Sequence, residues 1–259
     1  MLLFGPGYVG RRIAAAFEAE GAAVFAIGRD GDATALIGAA THIVSTVAPE
    51  AGADQILRRH GAALAASPAW KGYLSSTGVY GDCAGAWVDE GAPLRGRRAE
   101  RNAADRAWQA IGACVFRLPG IYGPGRSILD RIASGAAHRI DLPGQVFSRV
   151  HVDDIVDAVA LAARTMEAGV FNLGDDLPAP QNALVELGCA LLGAPLPPLQ
   201  SLADARLSPA ARAFYEENRR VANGKAKRLL GWRPRHPDYR CGLRALRGAT
   251  GAVSPAASR

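Results

Sequence analysis

Lysine is scarce in this chain of 259 residues, because only Lys71, Lys225 and Lys227 among its 30 basic residues are lysines. The other basic residues are arginines, spread along the sequence. The densest group, residues 95–101, contains no aromatic residue and matches no nucleic-acid-binding module. An alternative interpretation of residues 95–101 is the solvent-exposed start of a helix. The net charge of +6 therefore points to an anionic small molecule or a phosphate as the partner, and we expect no nucleic-acid binding.

Cysteine and long apolar runs are also scarce. The four cysteines are widely spaced and form no C-x-x-C pair, which predicts reduced, mostly buried thiols. No segment approaches the roughly 18–20 consecutive apolar residues of a membrane span, and no basic segment precedes the first turn, so neither a membrane helix nor a signal peptide is expected. No His, Cys or Asp cluster has the spacing of a metal site. The composition predicts a globular, cytoplasmic protein with a substantial core.

A glycine-rich turn follows the first apolar residues directly. Residues 1–4 are Met-Leu-Leu-Phe, and Gly5, Gly7 and Gly10 then form a G-x-G-x-x-G motif that leads into an Ala-rich helix. In a dinucleotide-binding turn the first glycine permits the tight turn, the second lets the backbone approach the pyrophosphate, and the third lets the helix pack on the sheet. We therefore predict a cofactor site at Gly5, Gly7 and Gly10 that includes Tyr8 and Val9. The alternative is an ordinary glycine-rich loop.

The end of the second predicted strand, residues 22–27, bears on the choice of cofactor. An acidic residue about 20 residues past the glycines accepts the ribose 2′-hydroxyl of NAD, whereas an arginine suits the 2′-phosphate of NADP. This chain has Gly28, Arg29 and Asp30 there. Arg29 favours NADP, Asp30 keeps NAD open, and a plain surface arginine is the remaining alternative.

Strands alternate with helices along the rest of the chain, which predicts a doubly wound parallel α/β sheet. Further strands are expected at 41–47, 72–76, 113–118 and 169–173, and helices at 9–20, 55–65, 98–111 and 153–165. Ser45, in the third strand, is assigned to the cofactor site. Only about a dozen residues separate the second and third strands, too few for a further helix–strand–helix unit. We predict a Rossmann core at 1–125, a mixed region at 126–247 that completes the sheet and forms the substrate side, and a frayed tail at 248–259.

Several motifs, in order and covering nearly the whole chain, resemble the extended and atypical short-chain dehydrogenase/reductase superfamily, whose members are NAD(P)-dependent epimerase/dehydratase-like proteins. Besides the glycine turn, the segments that carry the resemblance are YLSSTGVYGD at 73–82, RLPGIYGPG at 117–125, RVHVDD at 149–154, FNLGDD at 171–176, and RVAN at 220–223 with LGW at 230–232. The resemblance implies the Rossmann fold and hydride transfer with a nicotinamide cofactor. It also implies that Pro119 and Gly120 shape the nicotinamide end of the cofactor site.

The resemblance implies a Ser or Thr that hydrogen-bonds the substrate oxygen, and a Tyr-x-x-x-Lys pair that exchanges a proton. Ser76 takes the Ser/Thr place and is the predicted catalytic residue. No lysine lies between Lys71 and Lys225, so the pair is absent. Arg97 and Arg101 fall on its two places, and an arginine does not release its proton at neutral pH.

The predicted substrate site contains Thr77, Arg97, Arg101 and Tyr122. Tyr80 is interpreted as a packing residue, and His151 as a structural residue at a helix start, with a general base as the alternative. The first hypothesis is an NADP-preferring oxidoreductase or epimerase-like enzyme for a small anionic or sugar-like substrate. The second is a non-catalytic NADP-binding regulator or scaffold, and a homodimer is compatible with either.

Overall fold

A six-stranded parallel sheet forms the centre of the protein. A computed structural model describes residues 1–251, apart from the side chains of residues 210 and 249–251. The strands of the central sheet are β1 (Leu2–Phe4), β2 (Phe25–Ile27), β3 (His42–Ser45), β4 (Trp70–Ser76), β6 (Cys114–Leu118) and β10 (Gly169–Asn172). Their order is β10-β6-β4-β3-β1-β2, with every neighbouring pair parallel. The predicted doubly wound α/β fold is confirmed.

Helices cover both faces of this sheet, because successive strand residues point to opposite sides. The helices are α1 (Tyr8–Ala19), α2 (Thr34–Ala39), α3 (Gln55–Ala66), α4 (Ala99–Ala110), α5 (Ile128–Ala133), α6 (Val152–Arg164), α7 (Gln181–Leu192), α8 (Pro209–Ala213), α9 (Gly224–Leu229) and α10 (Tyr239–Gly251). Leu3 packs with Ile13 of α1 and Ile155 of α6 on one face. Leu2 and Phe4 belong to the core of the other face, which α2, α3 and α4 cover. The sheet is therefore buried on both sides, as parallel sheets usually are.

Short strand pairs and a third apolar cluster build the region beyond the sheet. The remaining strands are β5 (Trp87–Val88), β7 (Gly120–Tyr122), β8 (Arg139–Ile140), β9 (Arg149–His151), β11 (Leu199–Gln200) and β12 (Arg220–Val221). They pair in parallel as β7 with β9, β8 with β11, and β5 with β12. Helices α5, α7 and α10 enclose an apolar cluster that contains Leu129, Val185 and Leu243. Two 3₁₀ turns, Thr77–Tyr80 and Phe214–Glu216, flank the opening between these parts.

The predicted strands and helices of the sheet are all found, with ends that coincide or are shifted by up to three residues. The short link between β2 and β3 contains one six-residue helix, α2, and no strand. As a result β2 is the last strand on its side of the sheet, and its Phe25 side chain stays largely exposed. The boundary at residue 125 stays a prediction. Of the predicted tail, residues 248–251 continue α10, and 252–259 lie outside the described residues.

Across the part of the chain that is described, no helix combines the length and apolarity needed to cross a membrane.

Candidate active site

The glycine turn between β1 and α1 brings the backbone close to open space. Gly5 has a φ of 85°, which favours glycine, and its carbonyl accepts hydrogen bonds from the Gly7 N–H at 2.7 Å and from Thr46 Oγ1 at 2.6 Å. A Cβ on Gly10 would overlap that same carbonyl oxygen, whereas a Cβ on Gly7 would meet no atom within 4 Å. Helix α1 begins here without a side-chain cap or an acidic residue in its first turn. The turn therefore fits a dinucleotide pyrophosphate.

The other predicted residues near this turn have different surroundings. The Tyr8 hydroxyl donates to the Pro124 carbonyl at 3.1 Å, which connects the turn to the loop after β7. The guanidinium of Arg12 lies 4.0 Å from the centroid of the Tyr8 ring. Val9 is buried in the core. Ser45 is also buried, and its Oγ has no hydrogen-bond partner among the described residues. These positions place Tyr8 at the surface of the turn and give Val9 a packing role.

Two surface ion pairs occupy the charged residues after β2. Arg29 pairs with Glu50, and Asp30 pairs with Arg59 at 3.0 Å between Asp30 Oδ1 and Arg59 Nη2. The Arg29 and Glu50 side chains are 53% and 64% exposed, so a ligand can reach both. A 2′-phosphate at Arg29 would therefore compete with the Glu50 carboxylate for the guanidinium.

A cavity of about 830 Å³ lies beyond the carboxyl ends of β4 and β6. The predicted site residues that line it are Ser76, Thr77, Arg97, Arg101, Pro119, Gly120 and Tyr122. The structure thus brings together the predicted catalytic residue, the predicted substrate residues and those assigned to the nicotinamide end. Among the described residues that line the cavity, the glycine turn, Arg29 and Ser45 are not included. The predicted site is divided between a turn for the pyrophosphate and a separate cavity.

Ser76 ends β4 and caps the 3₁₀ turn that follows. Its Oγ accepts a hydrogen bond from the Gly78 N–H at 3.1 Å. Because the oxygen accepts this bond, the hydroxyl proton remains available to a substrate oxygen. Thr77 beside it is buried but contributes to the cavity wall. The capping role and the predicted catalytic role are therefore compatible in one side chain.

The arginines of residues 97–101 differ in their partners. Arg97 forms ion pairs with Glu216 and Glu217, and donates to the Ala213 carbonyl at 2.8 Å. Arg98 and Arg101 have no carboxylate partner among the described residues. Burial, and then the charge of Arg98, lowers the pKa of Arg101. Two adjacent, unneutralised guanidiniums at a cavity wall make a favourable position for an anion.

Tyr122 presents its ring to the cavity and buries its hydroxyl. The hydroxyl has no hydrogen-bond partner among the described residues, and a Cβ on Gly242 of α10 would overlap it. The ring stands edge-on to His151, with centroids 5.1 Å apart. Burial raises the pKa of Tyr122 far above its ordinary value. Its predicted substrate role therefore depends on ring contact, since the hydroxyl faces the packed interior.

Tyr80 belongs to a buried polar network under the cavity. Its hydroxyl donates to Asn172 Oδ1 at 2.7 Å and accepts from Arg117 Nη1 at 3.0 Å. Arg117 in turn forms a buried ion pair with Asp105 at 2.7 Å. The Ser75 hydroxyl donates to the same carboxylate at 2.6 Å. This network ties α4 to strands β4 and β6, and it supports the interpretation of Tyr80 as a packing residue.

One His/Asp cluster was not evident from the spacing of the sequence. Potential ligand atoms of His151, Asp154 and His236 all lie within 4.8 Å of one another. The Asp153 N–H donates to His151 Nδ1 at 3.2 Å, so a neutral ring carries its proton on Nε2 and has no free lone pair for a metal. Asp154 accepts from the backbone N–H groups of Arg235 at 2.6 Å and His236 at 3.2 Å. The cluster fastens the start of α6 to the segment before α10, which fits a structural His151.

A buried carboxyl and a buried guanidinium lie near the cavity, and neither was predicted. Arg149 lines the cavity and donates to the carbonyls of Phe147 at 2.9 Å and Ala179 at 3.0 Å, and to Gln181 Oε1 at 3.0 Å. Asp175 is 2% exposed, and neither carboxyl oxygen has a hydrogen-bond partner among the described residues. Burial raises the pKa of Asp175 to about 8, although the charge of Arg149 opposes the shift. Asp175 is therefore protonated over much of the neutral range.

We expect Asp175 to make the protein less stable as the pH rises. An Asp is ionised above about pH 4 in the unfolded chain, whereas the folded protein keeps this carboxyl protonated up to a pKa of about 8. The folded state binds more protons in this window, so the free energy of unfolding falls as pH rises through it. Urea unfolding at several pH values measures this dependence. The free energy of unfolding should fall less steeply with pH in Asp175→Asn than in the wild type. An equal dependence on pH in both proteins would contradict the raised pKa of Asp175.

Several cavity residues come from segments without a recognisable motif. They are Arg126, Arg131, His138, Tyr215 and Arg219. All lie beyond residue 125, in the region predicted to form the substrate side. No local pattern marks them, because their proximity depends on the packing of α5, β9 and the Phe214–Glu216 turn around the sheet.

Comparisons with known proteins give a full-length relative and a shared fold. No protein-family model matches the chain. A solved structure from Silicibacter pomeroyi DSS, described as a functionally unknown conserved protein, is 40% identical, covers 96% of this chain and 98% of that chain, and has a TM-score of 0.84. MoeE5 in complex with UDP-glucose and NAD is 18% identical, covers 98% and 99%, and has a TM-score of 0.80.

A curated relative matches over a shorter span. A 3-diazoavenalumate denitrifying reductase from a Streptomyces species is 31% identical over 144 residues, which are 51% of this chain and 46% of that protein. The match therefore spans less than half the length of this relative.

Proposed function

Because the chain belongs to the same family as the conserved Silicibacter pomeroyi protein and has the fold of the extended short-chain dehydrogenase/reductases, we propose that it is an NAD(P)-dependent oxidoreductase for a small anionic carbonyl compound. The single observation that carries this proposal is the cavity in which Ser76 and the unneutralised Arg98 and Arg101 lie together. It lies at the carboxyl edge of the parallel sheet, where this fold class binds ligands. The similarity to a reductase supports the reaction class.

Each part of the site has a distinct task in this proposal. The turn at Gly5, Gly7 and Gly10 holds the pyrophosphate, and Pro119 and Gly120 border the nicotinamide. When bound, the cofactor supplies or accepts a hydride at the substrate carbon. The Ser76 hydroxyl donates a hydrogen bond to the substrate oxygen, which polarises the carbonyl group.

The anionic group of the substrate binds at Arg98 and Arg101. Arg101 is partly buried and Arg98 is exposed. A partly buried guanidinium without a carboxylate partner gains a strong, charge-assisted hydrogen bond when an anion binds. Arg97 is held by Glu216 and Glu217, so it shapes the wall and contributes less free charge. Thr77 and the Tyr122 ring complete the substrate surface. A sugar phosphate and a carboxylate both carry the negatively charged oxygens that these two arginines would bind.

A matched pair of substrates tests the proposal. Phenylglyoxylate and its methyl ester have the same reactive carbonyl and differ by one negative charge. We expect NADPH oxidation with the acid to exceed that with the ester, and Arg101→Leu to remove the difference by raising KM for the acid about tenfold or more. Arg106→Leu, an exposed arginine of the same helix outside the cavity, should leave both rates unchanged. Equal use of acid and ester by the wild type would contradict the anionic substrate.

Loss of the Ser76 hydroxyl should slow the reaction itself. We expect Ser76→Ala to lower kcat for phenylglyoxylate about 100-fold, because a carbonyl hydrogen bond that strengthens in the transition state is lost. NADPH affinity should stay unchanged, and fluorescence titration of the nucleotide measures this directly. A variant with wild-type kcat would exclude Ser76 from the reaction.

We propose NADP as the preferred cofactor, because Arg29 is exposed at the position expected for the 2′-phosphate. Titration with NADPH and NADH should show that Arg29→Ala lowers the affinity for NADPH about tenfold, equal to about 1.4 kcal/mol of binding free energy. The affinity for NADH should change little. Glu50→Gln should strengthen NADPH binding, because the competing carboxylate is removed. If neither variant alters the ratio of the two affinities, Arg29 does not select the cofactor.

A second candidate function is a non-catalytic NAD(P)-binding regulator. The missing Tyr-x-x-x-Lys pair favours it, since the usual proton donor of these enzymes is absent. Micromolar binding of NADPH without turnover of any carbonyl compound would support this alternative.

A further inference from the structure

We propose that Tyr215, oriented by His138, supplies the proton that the absent Tyr-x-x-x-Lys pair supplies in the related enzymes. This inference rests on the proposed reductase function and adds a catalytic residue to it. Both side chains line the cavity that contains Ser76. Neither lies in a motif of the sequence.

The two side chains are hydrogen-bonded to each other and to an arginine. His138 Nε2 lies 3.2 Å from the Tyr215 hydroxyl oxygen, and Arg131 Nη2 lies 3.3 Å from His138 Nδ1. The chain Arg131–His138–Tyr215 therefore runs from α5, across the segment before β8, to the 3₁₀ turn Phe214–Glu216.

The chemistry of arginine fixes the direction of these bonds. A guanidinium can only donate, so His138 Nδ1 must accept from Arg131. A neutral ring then carries its proton on Nε2 and donates it to the Tyr215 oxygen. Burial, and then the charge of Arg131, lowers the pKa of His138 and favours this neutral form. With its oxygen already accepting, Tyr215 has its own hydroxyl proton free for a substrate.

Ion pairs and hydrogen bonds fasten the segment that carries Tyr215 to Arg97 and to the turn that follows the proposed catalytic residue, Ser76. Arg97 pairs with Glu216 and donates to the carbonyl of Ala213, on either side of Tyr215. Glu217 also pairs with Arg219, whose Nη1 donates to the Gly81 carbonyl at 2.7 Å, just beyond the turn that Ser76 caps.

Packing and charge also act on the tyrosine ring. The Phe147 ring meets it edge-on, with centroids 5.6 Å apart. Burial raises the pKa of Tyr215, while the charges of Arg131 and Arg149 act to lower it. These two cations and the His138 N–H are the described groups that would stabilise the phenolate after proton transfer.

The proposed step is balanced. One hydride from the reduced nicotinamide adds to the carbonyl carbon, the carbon–oxygen double bond becomes single, and the oxygen takes the proton of Tyr215. The products are an alcohol, the oxidised nucleotide and a phenolate, which regains a proton from water. Arg97 and Arg101, at the places of the missing pair, cannot release a proton at neutral pH.

A tautomer measurement tests the orientation without substrate or cofactor. Nitrogen NMR of isotope-labelled histidine in the full chain, assigned by comparison with His138→Gln, should show His138 with its proton on Nε2 at neutral pH. Arg131→Met should shift this population toward the Nδ1–H form. A wild-type His138 protonated on Nδ1 would overturn the proposed orientation.

Activity variants test the proton transfer itself. With NADPH and phenylglyoxylate, Tyr215→Phe should lower kcat about 100-fold or more, as for loss of a general acid, with NADPH affinity unchanged. His138→Gln, which keeps an N–H donor, should retain more activity than His138→Leu, and only the latter should shift the pH profile. Tyr239→Phe, which removes a hydroxyl outside the cavity, is the matched control.

These outcomes separate the two proposals. A Tyr215→Phe variant that turns over like the wild type would overturn the role of Tyr215 and leave the reductase function intact. A wild type that binds no NADPH would contradict the reductase function, and with it any proton transfer to a reduced substrate.

Discussion

Replacing Asp105 with leucine should lower the free energy of unfolding by about 3–5 kcal/mol, as is typical when one partner of a buried ion pair is removed. Asp105 is fully buried, and its carboxylate accepts from Arg117 at 2.7 Å and 3.1 Å, from Ser75 and from Gln109. Without it, the Arg117 guanidinium remains buried, and its partners among the described residues are the Tyr80 hydroxyl and the Glu90 carbonyl. Urea unfolding followed by circular dichroism measures the change.

Two controls show whether the cost comes from the unpaired charge. Asp157→Leu breaks the surface pair with Arg235, and should cost less than about 1 kcal/mol. The double variant Asp105→Leu with Arg117→Met should recover part of the stability lost in Asp105→Leu, because the unpaired guanidinium is gone. The outcome to compare with is additivity. If the double variant loses the sum of the unfolding free energies that the two single variants lose, the two side chains are not coupled.

Alanine at Gly7 and at Gly10 should separate nucleotide binding from stability. A Cβ on Gly7 meets nothing within 4 Å, and its φ of −83° suits alanine, so the free energy of unfolding should change by less than about 0.5 kcal/mol. The same Cβ occupies the space where the pyrophosphate is proposed to lie. NADPH affinity should therefore fall about 100-fold, equal to about 2.7 kcal/mol.

Gly10→Ala should instead lower stability. Its Cβ would overlap the Gly5 carbonyl oxygen, which is part of the backbone and cannot rotate away. The resulting strain should cost about 1–3 kcal/mol and also weaken nucleotide binding through the displaced turn. Thermal unfolding together with NADPH titration measures both effects. Unchanged NADPH affinity in Gly7→Ala would place the pyrophosphate elsewhere.

The parts of the fold that could be predicted depend on neighbouring residues. The glycine turn is specified by residues 5–10, and the carboxyl end of β4 by the hydroxyls that follow its apolar run. Since parallel strands end at one edge, Ser76 and Gly120 could be expected near each other. The resemblance to the extended family supplied the other predicted positions that line the cavity, whereas residues such as His138 and Tyr215 were not predicted.

Contacts between distant segments could not be predicted in this way. His138 and Tyr215 are 77 residues apart, and nothing in either segment reveals the other. Asp154 and His236 are likewise joined only by the packing of α6 against the segment before α10. Ion pairing also decides how much charge an arginine offers to a ligand. Arg97 and Arg101 are alike in the sequence, yet of these two only Arg97 is neutralised by glutamates.

The position of β2 has a consequence for association between molecules. It ends its side of the sheet, with the Phe25 ring 54% exposed. Its outer backbone groups could pair with a strand from another molecule, which is the usual route to edge-to-edge aggregation. However, β2 is three residues long and therefore offers such a strand only a brief template. The brevity of β2 thus protects an otherwise vulnerable edge, and a longer apolar strand there would favour self-association.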